Sequence, residues 1–102
     1  MGTKKRGRRG SQPGVRNPFI KKEDLLSEIQ SIVEKRDMSQ VQVADETGEA
    51  RSQVSLLLNG KLRGFSTDRL ARILLRLGRD IEIVLRPSRG NRKVGAVRLV
   101  RR

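Results

Sequence analysis

The chain has 102 residues, of which 34% are hydrophobic and two are aromatic, Phe19 and Phe65, and its formal net charge is +13. That length supports one small domain with a core of Leu, Ile and Val. With no Cys and no His, zinc, thiol and disulfide chemistry are excluded, and no run approaches the roughly 18 apolar residues of a membrane span.

Residues 1–22 carry eight Lys or Arg and no acid. Residues 1–18 are rich in Gly, Lys, Arg, Ser and Pro with almost nothing apolar to bury, so a disordered basic arm is expected there. The arm lacks the apolar segment of a secretory signal, and Phe19 and Ile20 are the first residues able to fold back onto a domain. From Glu23 to Arg36, Leu25, Leu26, Ile29, Ile32 and Val33 recur at helical spacing. Glu23 and Asp24 in the first turn and Lys35 and Arg36 in the last complement the helix dipole.

A second helix is expected at Ser39-Gln40-Val41-Gln42, a capping box with Ser as cap and Gln three residues on. It carries Val41, Val43 and Ala44 and stops at Gly48. A third begins near Ala50 and presents Val54, Leu57 and Leu58 before Asn59-Gly60. Ser66 caps a fourth, with Leu70, Ile73, Leu74 and Leu77 on its apolar side and Gly78 at its end. Residues 80–86 alternate, with Ile81, Ile83 and Leu85 on one side, and read as a strand stopped by Pro87. Val97, Leu99 and Val100 offer a further strand within a basic tail, 87–102. Residues 86–102 again hold seven basic residues and no acid, whereas 23–85 is close to neutral. Charge thus sits in the flanks of a balanced domain spanning 19–86.

With Gln40 as position one, Ala44 falls at five, Gly48 at nine, Val54 at fifteen and Leu57 at eighteen. Position five faces the next helix where the two cross and admits only a small side chain. Position nine needs a positive φ for a sharp turn, which Gly adopts without strain. Positions fifteen and eighteen set apolar groups of the second helix onto the first. This is the register of a helix-turn-helix. An ordinary helical hairpin, its Ala and Gly serving packing alone, is the competing reading.

Residues 40–87 resemble the XRE-type, lambda-repressor-like helix-turn-helix family, and within it the HigA-like antitoxins of toxin–antitoxin pairs. The resemblance rests on Val43-Ala44-Asp45-Glu46-Thr47-Gly48, Arg51-Ser52-Gln53-Val54-Ser55, Leu58-Asn59-Gly60-Lys61, Phe65-Ser66-Thr67-Asp68-Arg69-Leu70 and Leu77-Gly78-Arg79-Asp80-Ile81-Glu82-Ile83. It implies a mostly α fold of four to five helices, followed here by the C-terminal strand. Two positions depart from the pattern: Glu49 stands where the family has an apolar residue, and Ala50 where it has a capping Ser. An acid at Glu49, beside bound DNA, would repel phosphate, and the lost cap costs about 1 kcal/mol.

In such folds the second helix of the motif enters the major groove by its N-terminal end. Arg51, Ser52, Gln53 and Ser55 are therefore the candidate base readers, Arg pairing bidentately with guanine and Gln with adenine. Arg51 touching only phosphate, or pairing with Glu49, is the other reading. Gln40, Asn59, Lys61 and Arg63 are candidate phosphate contacts, against solvated helix-start and turn positions. The basic flanks would add salt-dependent affinity. The expected partners are double-stranded operator DNA, a second copy of the chain and, from the resemblance alone, a RelE-like ribonuclease toxin. No membrane, cofactor or metal is expected, no catalytic constellation is visible, and the setting is the cytoplasm, at the nucleoid. A stand-alone phage or plasmid repressor shares the same DNA chemistry, and a nucleic-acid chaperone or RNA-binding module driven by the tails would bind without sequence preference.

Overall fold

The computed structural model describes residues 20–88, 90 and 93–101. The expected basic arm 1–18 and Phe19 lie outside them. Four helices follow one another: α1 (Lys22–Lys35), α2 (Gln40–Thr47), α3 (Arg51–Leu58) and α4 (Thr67–Arg76). Among the described residues, no helix is long and apolar enough to cross a membrane.

Capping side chains mark the starts of α2 and α4, and backbone bonds mark the helix ends. Ser39 caps α2 by accepting from the Gln42 backbone N–H at 3.1 Å, while Gln42 Oε1 accepts from the Ser39 N–H at 2.8 Å, completing the capping box. Ser66 Oγ accepts from the Arg69 N–H at 3.0 Å at the start of α4. Helices α1, α3 and α4 close with paired bonds from the two residues beyond the cap. After α3, for instance, the Gly60 N–H donates to the Leu57 carbonyl and the Lys61 N–H to that of Leu56. These bonds satisfy carbonyls that the helix leaves without partners.

The apolar stripes then pack in pairs, α1 on α4 and α2 on α3. Leu25, Leu26, Ile29 and Ile32 of α1 meet Leu70, Ile73, Leu74 and Leu77 around the fully buried Phe65. Val43, Ala44 and Val54 form a second cluster, and Val33, Met38 and Leu58 pack against both, joining them into one core. Ile20, just before α1, is half-buried on the larger cluster. Arg36 ties three elements at the end of α1: its Nη2 donates to Glu46 Oε2 at 2.7 Å, and its Nη1 reaches the Leu77 carbonyl at 3.5 Å.

The C-terminal region departs from expectation. Residues 80–86 do not form a strand, nor does any other described residue. The alternating pattern is real, but a strand needs a ladder partner, and among the described residues nothing pairs with it. Its apolar side chains stand in the open, Ile83 79% and Leu85 90% exposed. Likewise the segment holding Val97, Leu99 and Val100 has no strand. It returns to α1, where Arg101 pairs with Glu28 and its Nη2 donates to Ser27 Oγ at 3.4 Å.

Candidate nucleic-acid interface

The two short helices α2 and α3 are joined by Gly48, Glu49 and Ala50. Gly48 has φ +78°, the left-handed conformation that ends α2, and its N–H donates to the Ala44 carbonyl at 2.9 Å. Ala44 is buried where the helices cross, and Val54 and Leu57 turn inward from α3, 0% and 1% exposed. All four positions of the expected register therefore do what the spacing requires. The inward side of α3 is spent on Val54 and Leu57, so the arc carrying Arg51, Ser52 and Ser55 turns outward.

The missing Ser cap is partly made up by the preceding turn. Ala50 gives α3 no side-chain cap. Instead the buried Thr47 donates its hydroxyl to the Val43 carbonyl at 2.6 Å and accepts the Glu49 N–H at 3.3 Å. The turn is thus held by a side chain on the α2 side rather than by one on α3.

Glu49 is not left to face phosphate alone. Arg69 of α4 grips its carboxylate with Nη2 at 2.5 Å and Nε at 3.2 Å. The pair is largely covered, with side-chain exposure of 18% for Glu49 and 26% for Arg69. The hydrogen bond from Arg69 holds the Glu49 carboxyl below its usual range, against the opposing effect of burial and with help from the charges of Arg69 and Arg72. Conversely, the hydrogen bond to Glu49 raises Arg69 above its already high value. Pairing of Glu49 with Arg51, one of the readings open from the sequence, is thereby replaced by pairing with Arg69.

The candidate contact residues fall in three places. Gln40 opens α2 and is exposed. Arg51 and Ser52 are exposed at the start of α3, while Gln53 and Ser55 are half-buried there. Gln53 Oε1 accepts from Arg69 Nη2 at 3.1 Å. Asn59, Lys61 and Arg63 are exposed in the loop after α3, and Asn59 Nδ2 turns back to the Ser55 carbonyl at 2.8 Å. Sequence reasoning missed Arg69. The available signal was Glu49 itself, an acid out of place at the mouth of an outward-facing helix, which calls for a cation nearby in space. Three arginines spaced along α4, Arg69, Arg72 and Arg76, could supply one.

Comparison with known proteins agrees with this geometry. The family described as a helix-turn-helix domain matches residues 17–86. A solved structure described as an XRE family transcriptional regulator aligns with a TM-score of 0.72 and 33% identity, covering 78% of this chain and 89% of that one. No curated protein matches. With the register from Gln40 to Leu57 formed as its residues dictate, and with both likenesses spanning most of the domain, the chain belongs to the helix-turn-helix family of XRE type.

Proposed function

We propose that the chain is a sequence-specific DNA-binding transcriptional repressor that reads operator DNA with α3. The observation that carries this reading is the crossing of α2 and α3: Ala44 and Gly48 let the helices meet, and Val54 and Leu57 anchor α3 so that Arg51 and Ser52 are exposed at its N-terminal end. Arg51, Ser52, Gln53 and Ser55 meet base edges in the major groove. Gln40, Asn59, Lys61 and Arg63 hold the phosphates on either side. Pairing of Glu49 with Arg69 removes the repulsion that a bare carboxylate would bring to the groove. The basic flanks 1–22 and 86–102 add phosphate contacts that strengthen binding at low salt.

The working species is a homodimer, because one α3 reads only a few base pairs and two-fold operators place half-sites about one helical turn apart. A second copy is the natural partner for residues 80–86. Antiparallel pairing centred on Ile83 sets Ile81 against Leu85 of the other copy on one face. On the opposite face it sets Asp80 against Arg86, so the segment is complementary to itself in shape and charge. The resemblance of its motifs to HigA-like antitoxins supports a further role in the cytoplasm: repressing its own operon and neutralising a RelE-like ribonuclease.

Selection of binding sites from a randomised duplex library with the full chain tests the DNA reading. A palindromic motif with half-sites one turn apart is expected, and enrichment of no motif would overturn it. Co-purification with the product of an adjacent gene encoding a small basic ribonuclease tests the antitoxin role. A lone repressor with no such neighbour would remove that role and leave DNA binding untouched.

A further inference from the structure

Arg69 is tied on several sides at once. Besides its two bonds to Glu49, it donates through Nη1 to the Gly64 carbonyl at 3.3 Å, and its guanidinium carbon lies 4.2 Å from the centroid of the Phe65 ring. Phe65 is itself fully buried. The guanidinium is thus anchored to the core, to the turn between α2 and α3 and to the loop before α4. From this fixed position it donates to Gln53 Oε1 at 3.1 Å. Arginine carries donors only, so the end of the Gln53 amide that faces Arg69 must be the oxygen, however the two ends of an amide are assigned. The polarity of a residue at the third position of α3 is therefore set by α4, sixteen residues later in the chain.

A glutamine that reads adenine uses both ends of its amide, donating to N7 and accepting from N6. Oε1 keeps a second lone pair, but Arg69 sets its direction. In this arrangement Gln53 turns its Nε2 donors, rather than both ends of the amide, to the groove. Building on the DNA-binding reading above, we propose that Arg69 is a specificity-determining positioning residue that holds Gln53 as a donor-only reader, selecting guanine over adenine. The major-groove edge of guanine carries two acceptors, O6 and N7, whereas adenine places an amino donor beside its N7. Arg69 itself touches no base in this scheme.

The test is site selection with the full chain, in which the position read by Gln53 is the one whose preference disappears in Gln53→Ala. The unaltered protein should select guanine there. Glu49→Gln/Arg69→Met, which frees Oε1 without leaving a lone carboxylate, should move the guanine-to-adenine ratio toward adenine about tenfold. Glu49→Gln alone, which keeps the Arg69 donor, should retain guanine, and preferences at other positions should persist in both. A second arm uses the unaltered protein: 7-deazaguanine at that position, lacking the N7 acceptor, should weaken binding several-fold, and Gln53→Ala should be indifferent to it. This arm stands even if the double variant fails to fold. Adenine at that position in the unaltered protein, a ratio unmoved by the double variant, no position lost in Gln53→Ala, or indifference of the unaltered protein to 7-deazaguanine would each overturn the proposal while leaving DNA reading by α3 intact. A protein with no preference at any position would overturn the DNA reading, and this inference with it.

Discussion

Arg69 clasps the Glu49 carboxylate across twenty residues of sequence, at 2.5 Å and 3.2 Å, and so fixes the turn between α2 and α3 to α4. Both side chains are mostly covered, so removing one leaves the other charged, desolvated and unpaired. Arg69→Ala should destabilise the fold by about 2 kcal/mol, and Glu49→Gln/Arg69→Ala by less than Arg69→Ala alone, because the double variant strands no charge. Urea denaturation of the two variants checks the order. A double variant at least as unstable as Arg69→Ala would contradict it.

The same pair sets an acid dependence. In the unfolded chain Glu49 titrates near its usual 4.5, and in the folded chain lower, chiefly because Arg69 hydrogen-bonds the carboxylate. Between the two values the unfolded chain binds more protons. The stabilisation is therefore complete above 4.5 and is lost as pH falls through the lower, folded value. Stability measured from pH 7 down to pH 3 should fall less steeply in Glu49→Gln than in the unaltered chain. Identical acid limbs would show that Glu49 is not the group responsible.

Gly48 separates conformation from space. A Cβ there would find its nearest neighbour, Arg76 Nη1, at 4.0 Å, so nothing clashes and only the positive φ resists substitution. Gly48→Ala should cost about 1 kcal/mol, and Gly48→Asn less, since Asn tolerates the left-handed region better. At the neighbouring crossing the limit is volume: Ala44→Leu should cost about 1–3 kcal/mol through overpacking. Thermal melting ranks the three, and an Ala44→Leu variant as stable as the parent would mean that the helices do not cross closely.

The self-complementary pairing of residues 80–86 makes a charge-swap prediction. Arg86→Asp faces Asp80 of the second copy with a like charge and should weaken the dimer. Asp80→Arg/Arg86→Asp exchanges the two charges and should restore it, while Ile83→Lys at the centre should abolish it. Sedimentation at micromolar concentration reads all three. Failure of the swap to rescue would reject this register even if a dimer persists.

Much of this was legible from the residues in order. Leu25, Leu26, Ile29, Ile32 and Val33 gave α1 within a residue of its ends, and the Ser39 capping box, the Ala44-to-Leu57 register and the Ser66 cap located the other three helices. Such signals are local, lying within a helical turn or a fixed short spacing. What escaped was non-local. The partner of Glu49 stands twenty residues away, and nothing in the spacing of α3 says that Gln53 has already committed its oxygen to Arg69. Val41 shows a different limit: it is apolar and helical, yet 43% exposed, because an eight-residue helix can turn only one side inward. The alternation of 80–86 is legible as a pattern, but no strand forms among the described residues, since a ladder needs two segments and a single copy supplies one.

Phosphate and base contacts should separate cleanly by salt. Lys61→Ala should weaken binding to operator and random duplexes alike and reduce the salt slope by about one. Titration of both duplexes at several salt concentrations reads this. A loss confined to the operator would make Lys61 a base reader instead.

The most direct test of α3 as the reading element is the ratio of Kd values for a random duplex and the selected operator, measured at one salt concentration for the unaltered chain and for Arg51→Ala. The unaltered chain should bind the operator at least about a thousandfold more tightly. Arg51→Ala should cut that ratio by about tenfold with its affinity for random duplex nearly unchanged. A ratio near one in the unaltered chain, or equal losses on both duplexes in Arg51→Ala, would contradict sequence reading by α3.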